Sequence, residues 1–557
     1  MTTPTDFLGA VASNAGDEFH EIWAIQKSLE LIAPKTELSA VTLEGVAVSG
    51  KKTSGGRDWD GVDCGLYFGG EDLQSSSRIE LVQLKYSASS PESNWTPGRL
   101  IKSTSKISNN SVARRLGNAF KAAAKGKTSS QIKAQLKPSL VSNQPIGPKL
   151  IGVINTVIDG RTSKDTDALK KATGLSRKQF ELFCGCLELK GGEDARSFLK
   201  ADIIRKIASF TDREVSNTLD DLRQTIRGFM LPESQRMAIT KGTVLTWFKV
   251  ADERAIFPCP NELEIVEAPI PRHVEDDLTA AVTKNKLVCL YGGGGCGKST
   301  TSSALIKKLP TGSEVVVFDC YGAGSYLDPS RPRHRDLEAF TQLSNEVSLV
   351  ADLPFLFPHQ ELMNVMAAFR RRLDLAATIL STKEPEALLV IMADAADNSV
   401  FAASQKTPCD VPFVHSLVKF SELPPNVRVV VSTRESRIES LMLPSSCVKV
   451  LCAPFTLEEV KLFVSQKWKG ISEEDIEQFH LLTSGNPRVL ASACAHANEI
   501  EGALDLLRPN GKSLPDLFGE ILKHTCKKVG AESLIDIFCA ASSALPTPIP
   551  IQVLASL

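Results

Sequence analysis

A run of eight residues narrows the fold more than any other feature of this 557-residue chain: Gly292, Gly293, Gly294, Gly295, Cys296, Gly297, Lys298 and Ser299. The run fits G-x-x-x-x-G-K-[ST]. An apolar stretch that reads as a strand (286–291) precedes it, and a helix-forming stretch (300–309) beginning at Thr300 follows, which is the setting this motif requires. Glycines let backbone N–H groups turn inward around a phosphate, and the helix N-terminus adds a favourable dipole. Lys298 can then reach the β- and γ-oxygens, and Ser299 can ligate Mg²⁺. Such a loop predicts a nucleotide, with ATP and Mg²⁺ as the cofactors.

The surrounding pattern agrees. Further apolar runs at 314–320, 387–394 and 427–434 alternate with helical stretches, which predicts a parallel sheet covered by helices on both faces. Asp394 closes the second of these runs and is placed to hold the Mg²⁺ shell. Asp397 follows it, either to orient an attacking water or as a helix N-cap. The third run ends in Arg434, which either senses the γ-phosphate or lies on the surface.

At about 150 residues per domain the chain has room for three or four folding units. Its charge is near neutral, 64 Lys and Arg against 65 Asp and Glu, so it names no partner globally. Locally it does: residues 93–158 contain no acidic residue and eleven basic ones, among them Arg99, Arg114, Arg115, Lys121 and Lys125. This is either a DNA-facing surface or a solvated face. The 13 cysteines are scattered and form neither a disulfide framework nor a paired zinc motif. No leader and no membrane-length apolar run is present, so the reading is a protein of a reducing cytoplasm without a membrane partner.

Before the phosphate loop, an amphipathic helix over 15–33 is followed by strand-like runs at 40–48, 61–68 and 78–86. A helix is expected over 111–125, a strand pair at 138–141 and 149–157, and helices closing the domain near 210. Strand alternation puts Gln83 and Lys85 on one face. With Asp63 on the neighbouring strand they form D…Q-x-K, a weak pattern by itself. Its chemistry would be phosphodiester hydrolysis around a divalent metal held by Asp63 and Gln83, with Lys85 stabilising the nucleophile. Asp60 and Asp58 compete for the carboxylate role. His20, on the first helix, reads as a solvated histidine, and Trp95 as a core residue.

Two resemblances rest on these residues. The phosphate loop, the apolar strand with Asp394 and Asp397, the strand ending in Arg434, then Pro454 to Glu459 and Gly485-Asn486-Pro487-Arg488, together resemble the STAND class of signalling NTPases over about 275–557. That resemblance implies that Pro487 packs on the adenine and that nucleotide state sets assembly into a homo-oligomer. The chain departs from the family at Asp397-Asn398, where an acidic pair is usual, so binding is implied more firmly than fast hydrolysis. The N-terminal segments, including the 61–68 and 78–86 runs, resemble the restriction-like double-stranded DNA endonuclease domain of bacterial antiphage effectors, as in CBASS nucleases and antiviral STAND (AVAST) proteins. This implies a further acidic site residue at Glu44.

The resulting expectation is a multidomain α/β chain. A restriction-endonuclease-like domain spans 1–210, a connector 211–274, a P-loop NTPase core 275–455, a helical lid 456–530 and the start of a winged helix 531–557. The implied function is an ATP-controlled, metal-dependent DNA endonuclease of antiphage defence. Its trigger would be a phage product, sensed by a region beyond a truncated end or by a separate chain. Two other readings stand beside it: a nucleotide switch with a non-cleaving DNA- or protein-binding first domain, and an ATP-driven translocase with a nuclease.

Overall fold

In the computed structural model the described residues are 5–48, 53–54, 58–103, 109–211, 215–231, 238–263, 266–358, 361–406, 408–420 and 422–507. The winged-helix expectation at 531–557 and the end of the lid fall outside them. The chain forms two compact units, Met1–Ile256 with Asp352–His359, and Phe257–Ala351 with Gln360–Leu557.

The first unit holds strands β1 (Leu38–Leu43), β2 (Val46–Ala47), β3 (Thr53–Ser54), β4 (Cys64–Phe68), β5 (Arg78–Lys85), β6 (Leu136–Ser142), β7 (Glu188–Gly191) and β8 (Ile239–Thr240). Six of them form one mixed sheet in the order β7-β6-β5-β4-β1-β8, while β2 and β3 pair separately. The β1, β4, β5 and β8 contacts are antiparallel, and β5-β6-β7 run parallel. On one face Ile79, Leu81 and Leu140 pack with Leu116, Phe120, Leu150, Val153, Leu169 and Phe183 from four helices. The first helix, Thr5–Glu30, packs with Arg196–Phe210 and Val215–Met230.

The expected strand at 149–157 is a helix, Pro148–Ile158. Its β-branched content suggested a strand, but Leu150, Val153, Ile154 and Val157 are all buried along one helical stripe. Pro148 supplies a fixed φ at the first helical position, where its missing N–H costs nothing.

The unit also runs past the expected boundary near 210. Two contacts account for this. Ile239 of β8 pairs with Val41 of β1, and the buried Glu21 carboxylate on the first helix accepts hydrogen bonds from Arg223 at 3.1 Å and Arg227 at 2.5 Å. A buried carboxylate must be paired, so the segment after 210 is tied to the helix before β1.

In the second unit β9 (Leu287–Gly292), β10 (Glu314–Asp319), β11 (Leu389–Asp394), β12 (Val427–Arg434) and β13 (Val448–Leu451) form an all-parallel sheet, ordered β10-β11-β12-β9-β13. Every residue of β11 is buried, as expected of a strand covered on both sides. Val288, Leu290, Val390 and Met392 pack against Val274, Leu278 and Leu305 on one face. Rings of Phe318, Phe340, Phe369, Phe413 and Phe420 pack together in a second cluster. A group of helices around Val460, Phe479 and Leu490 follows, within the expected lid.

Candidate functional sites

In the second unit the carboxyl ends of the parallel strands carry the expected groups side by side: Gly292 on β9, Asp394 on β11 and Arg434 on β12. Ligands of open parallel sheets bind at this edge, where strand order reverses. Gly293 to Gly297 connect β9 to the helix Lys298–Lys308, which carries Ser299 and Thr300 in its first turn. Gly297, at the helix N-cap, has φ 93°, a conformation costly for any residue with a Cβ. A Cβ on Gly292 would come within 2.3 Å of the Cys452 carbonyl oxygen, so that position also excludes a side chain.

Lys298 Nζ donates to the carbonyls of Gly292 and Gly293 at 3.0 and 2.8 Å. Ser299 Oγ donates to Asp394 at 2.6 Å, and Ser432 Oγ donates to the other oxygen of the same carboxylate. Burial raises the Asp394 pKa, opposed by those two hydroxyls. Ser299 and Asp394, both singled out from the sequence, thus lie within hydrogen-bond distance of each other. Asp397 begins the helix Asp397–Ser404 without capping it, since Ala396 holds the N-cap position. Its carboxylate lies 3.6 Å from Arg434 Nε and 3.3 Å from Arg437 Nη1. Burial raises the Asp397 pKa, and the two guanidinium groups oppose that shift.

Arg437 was not singled out from the sequence, and neither was Arg272. Arg272 is buried, pairs with Glu459 at 3.1 Å, and donates to the carbonyls of Cys296 at 2.8 Å and Ala453 at 2.6 Å. It therefore joins the glycine loop to the helical segment that carries Glu459. The same helical segment returns to the loop through Asn486, whose amide donates to Gly294 O at 2.8 Å, and through the Arg488 N–H, which donates to Gly295 O at 3.3 Å. Pro487 starts the next helix, and a Cβ at Gly297 would lie 3.9 Å from its Cγ. Of the basic residues at 331–335, Arg331 and Arg335 are exposed while Arg333 and His334 are buried. Arg333 is fully buried and donates to Asp319 O and Pro260 O, and His334 bonds Asp410.

In the first unit Asp63 sits just before β4. Its N–H donates to Val82 O at 2.9 Å, its O accepts from the Glu44 N–H at 3.0 Å, and its Oδ2 accepts from the Leu84 N–H at 2.6 Å. These backbone bonds carry a carboxylate to the end of β5. Lys85 Nζ stands 3.9 Å from Asp63 Oδ2. Gln83, two residues earlier on the same strand face, is fully buried, and neither of its amide atoms has a hydrogen-bond partner. Asp58 and Asp60, the competing carboxylates, are exposed.

His20 corrects the sequence reading. It is not simply solvated: its Nε2 lies 4.0 Å from Asp63 Oδ2, and donor atoms of His20, Glu44 and Asp63 all lie within 4.8 Å of one another. Burial lowers the His20 pKa, opposed by the Asp63 charge. No motif spacing could have found it, because its helix meets the strands only through the fold.

The basic stretch is divided. Lys121, Lys125 and Lys133 are exposed, Lys149 pairs with Asp165 at 3.0 Å, and Arg99 lies over the ring of the buried Trp95.

The parallel sheet, the phosphate loop and the Ser299–Asp394 pair define a core of the P-loop NTPase type. No protein-family model matches the sequence, and no curated protein does. Among solved structures the chain is similar to a Walker-type ATPase of Pyrococcus abyssi, at 16% identity over 52% of this chain and 91% of that one, with a TM-score of 0.32. It is also similar to the ORC2 protein of Aeropyrum pernix. The ADP form matches at 11% identity over 50% of this chain and 79% of that one, with a TM-score of 0.31. The ADPNP-ADP complexes match at 11% over 55% and 75%, with a TM-score of 0.28. In the described residues no helix is long and apolar enough to cross a membrane.

Proposed function

We propose that this chain is a nucleotide-controlled, metal-dependent endonuclease acting on double-stranded DNA in the cytoplasm, of the antiviral STAND type, with ATP and Mg²⁺ at the phosphate loop. The observation that carries the nuclease half is the convergence of Lys85 with the Asp63 carboxylate at 3.9 Å, beside Glu44 and on the strand face that also carries Gln83. Hydrolysis of a phosphodiester needs charge stabilised on the phosphate and a water made nucleophilic, and a divalent ion supplies both. The donor chemistry here fits such an ion. Asp63 and Glu44 would hold it, and Gln83 offers an uncommitted buried carbonyl oxygen. Lys85 would stabilise the negative charge that develops on the attacked phosphate. The exposed lysines of the acid-free stretch would neutralise DNA phosphates without reading sequence.

In the second unit Lys298 and the loop amides would bind the β- and γ-phosphates. Ser299 and Asp394 would hold the ion there, and Arg434 would sense the γ-phosphate beside Asp397. Because the residue after Asp397 is asparagine, the NTPase reads as a switch that holds nucleotide rather than a fast motor. Assembly into a homo-oligomer is the proposed response to ATP, and a phage product is the proposed trigger that would promote it further.

Supercoiled plasmid incubated with the full chain, Mg²⁺ or Mn²⁺ and ATP should be linearised. Lys85→Ala should lose cutting by roughly 100-fold or more while still binding nucleotide. Cutting that persists unchanged in Lys85→Ala would remove the catalytic assignment.

A further inference from the structure

We propose that His20 is a direct metal ligand of the first unit, and that the His20–Glu44–Asp63 cluster takes a first-row transition cation of the Mn²⁺ class in preference to Mg²⁺. The inference deepens the endonuclease reading and rests on it only for what the ion would be used for; binding itself is tested separately.

Three segments far apart in sequence bring their donors together here. The first helix contributes an imidazole, the turn after β1 contributes Glu44, and the residue before β4 contributes Asp63. Nothing local requires this meeting. His20 sits one residue after Phe19, whose ring stacks on Tyr86 at 4.9 Å, so packing fixes the helix against the end of β5. Asp63 is fixed from the other side by the Leu84 amide. The donor atoms lie within 4.8 Å of one another. Ligands about 2.1 Å from a common ion sit roughly 3–4 Å apart, so small side-chain rotations would close the set.

A second observation lies on the strand that ends beside this cluster. Gln83 is completely buried, and neither its amide nitrogen nor its oxygen has a partner. A buried amide left unbonded is costly. Its strand face is the one that brings Lys85 to Asp63.

The donor set decides the class of ion. Mg²⁺ demands oxygen ligands and retains its waters, whereas an imidazole beside carboxylates favours a transition metal. Three protein donors leave coordination positions open for water and a phosphate oxygen. His20 and Asp63 keep 20% and 11% of their side-chain surfaces exposed, so the site is reachable from solvent.

The test uses the full chain, stripped of metal by chelation and kept free of nucleotide so that the phosphate loop does not contribute. Mn²⁺ uptake is followed by electron paramagnetic resonance, with Mg²⁺ as competitor. The expected result is saturable binding of a single Mn²⁺ per chain, displaced only when Mg²⁺ exceeds it by more than about tenfold. His20→Ala should weaken Mn²⁺ binding by about tenfold or more with an unchanged circular dichroism spectrum. Should that variant not fold, Glu44→Gln replaces it, and the Mn²⁺ to Mg²⁺ ratio of the unaltered chain tests the claim without any substitution. Mg²⁺ competing on equal terms, or a folded His20→Ala that binds Mn²⁺ as before, overturns the proposal. If Mn²⁺ binds through His20 while plasmid stays intact under all conditions, the endonuclease reading fails and the metal site stands.

Discussion

Arg272 shows how one buried charge can tie two functional elements together. Its guanidinium reaches the Glu459 carboxylate, the Cys296 carbonyl in the phosphate loop and the Ala453 carbonyl, and it stands 4.8 Å from the centre of the Phe455 ring. Each of these interactions satisfies a group that burial would otherwise penalise. Removing the cation strands Glu459, which is itself only 8% exposed. Arg272→Ala should therefore cost about 3 kcal/mol, the usual loss when one partner of a buried pair is deleted. Urea unfolding of the second unit, followed by Trp468 fluorescence in a chain whose other four tryptophans are replaced by phenylalanine, would measure it, and a loss below about 0.5 kcal/mol would show that the pair is not structurally important. The residue scale is also where sequence reading succeeds and fails most sharply. The phosphate loop was legible because its chemistry is contiguous: one strand end, one glycine run and one helix start supply all the groups. The position of Asp394 beside Ser299 was legible because an acidic residue closes a buried apolar strand in the same parallel sheet as the one that leads into the glycine run. His20 and Arg272 were not, since their partners lie 43 and 187 residues away, and only strand register and helix packing bring them together.

At the scale of elements, the turn from Gly485 to Arg488 does two things at once. Asn486 caps the helix Pro487–His496 through its side-chain oxygen, which accepts from the Arg488 N–H at 3.0 Å, while its amide nitrogen donates to Gly294 O. The same side chain thus starts a helix of the expected lid and holds that helix to the glycine loop. Asn486→Ala should lower the stability of the second unit by about 1 kcal/mol through the lost cap. It should also speed release of a fluorescent ATP analogue severalfold in stopped flow, because the lid is then held by fewer contacts. Asn486→Asp keeps the capping oxygen and loses the donor, so it should restore stability without restoring slow release. Unchanged release in both variants would mean that Asn486 is only a cap. Elements were readable wherever an apolar run was long enough to be a strand covered on both faces, as at 387–394 and 427–434. The helix Pro148–Ile158 was misread because its β-branched residues favour a strand, while the spacing of Leu150, Val153, Ile154 and Val157 favours a helix. The buried face decided between them.

For the whole molecule, the division into two compact units sets the proposed phosphodiesterase site in one and the phosphate loop in the other. The boundary was hard to read because Glu21 on the first helix is neutralised by arginines at 223 and 227, and the first sheet is completed by a strand at 239–240. No composition shift marks pairings of that range. If nucleotide state governs assembly, and assembly governs cutting, then substitutions at the two sites must separate. Lys298→Ala removes the side chain that would grip the phosphates, and it should leave the particle mass unchanged by ATP in light scattering or native mass spectrometry. Lys85→Ala alters only the proposed cutting centre and should give the same ATP-dependent rise in mass as the unaltered chain, without linear plasmid. An increase in mass with ATP that survives Lys298→Ala would place the control of assembly outside the phosphate loop. Equal cutting by a Lys298→Ala chain that never assembles would uncouple the two units altogether.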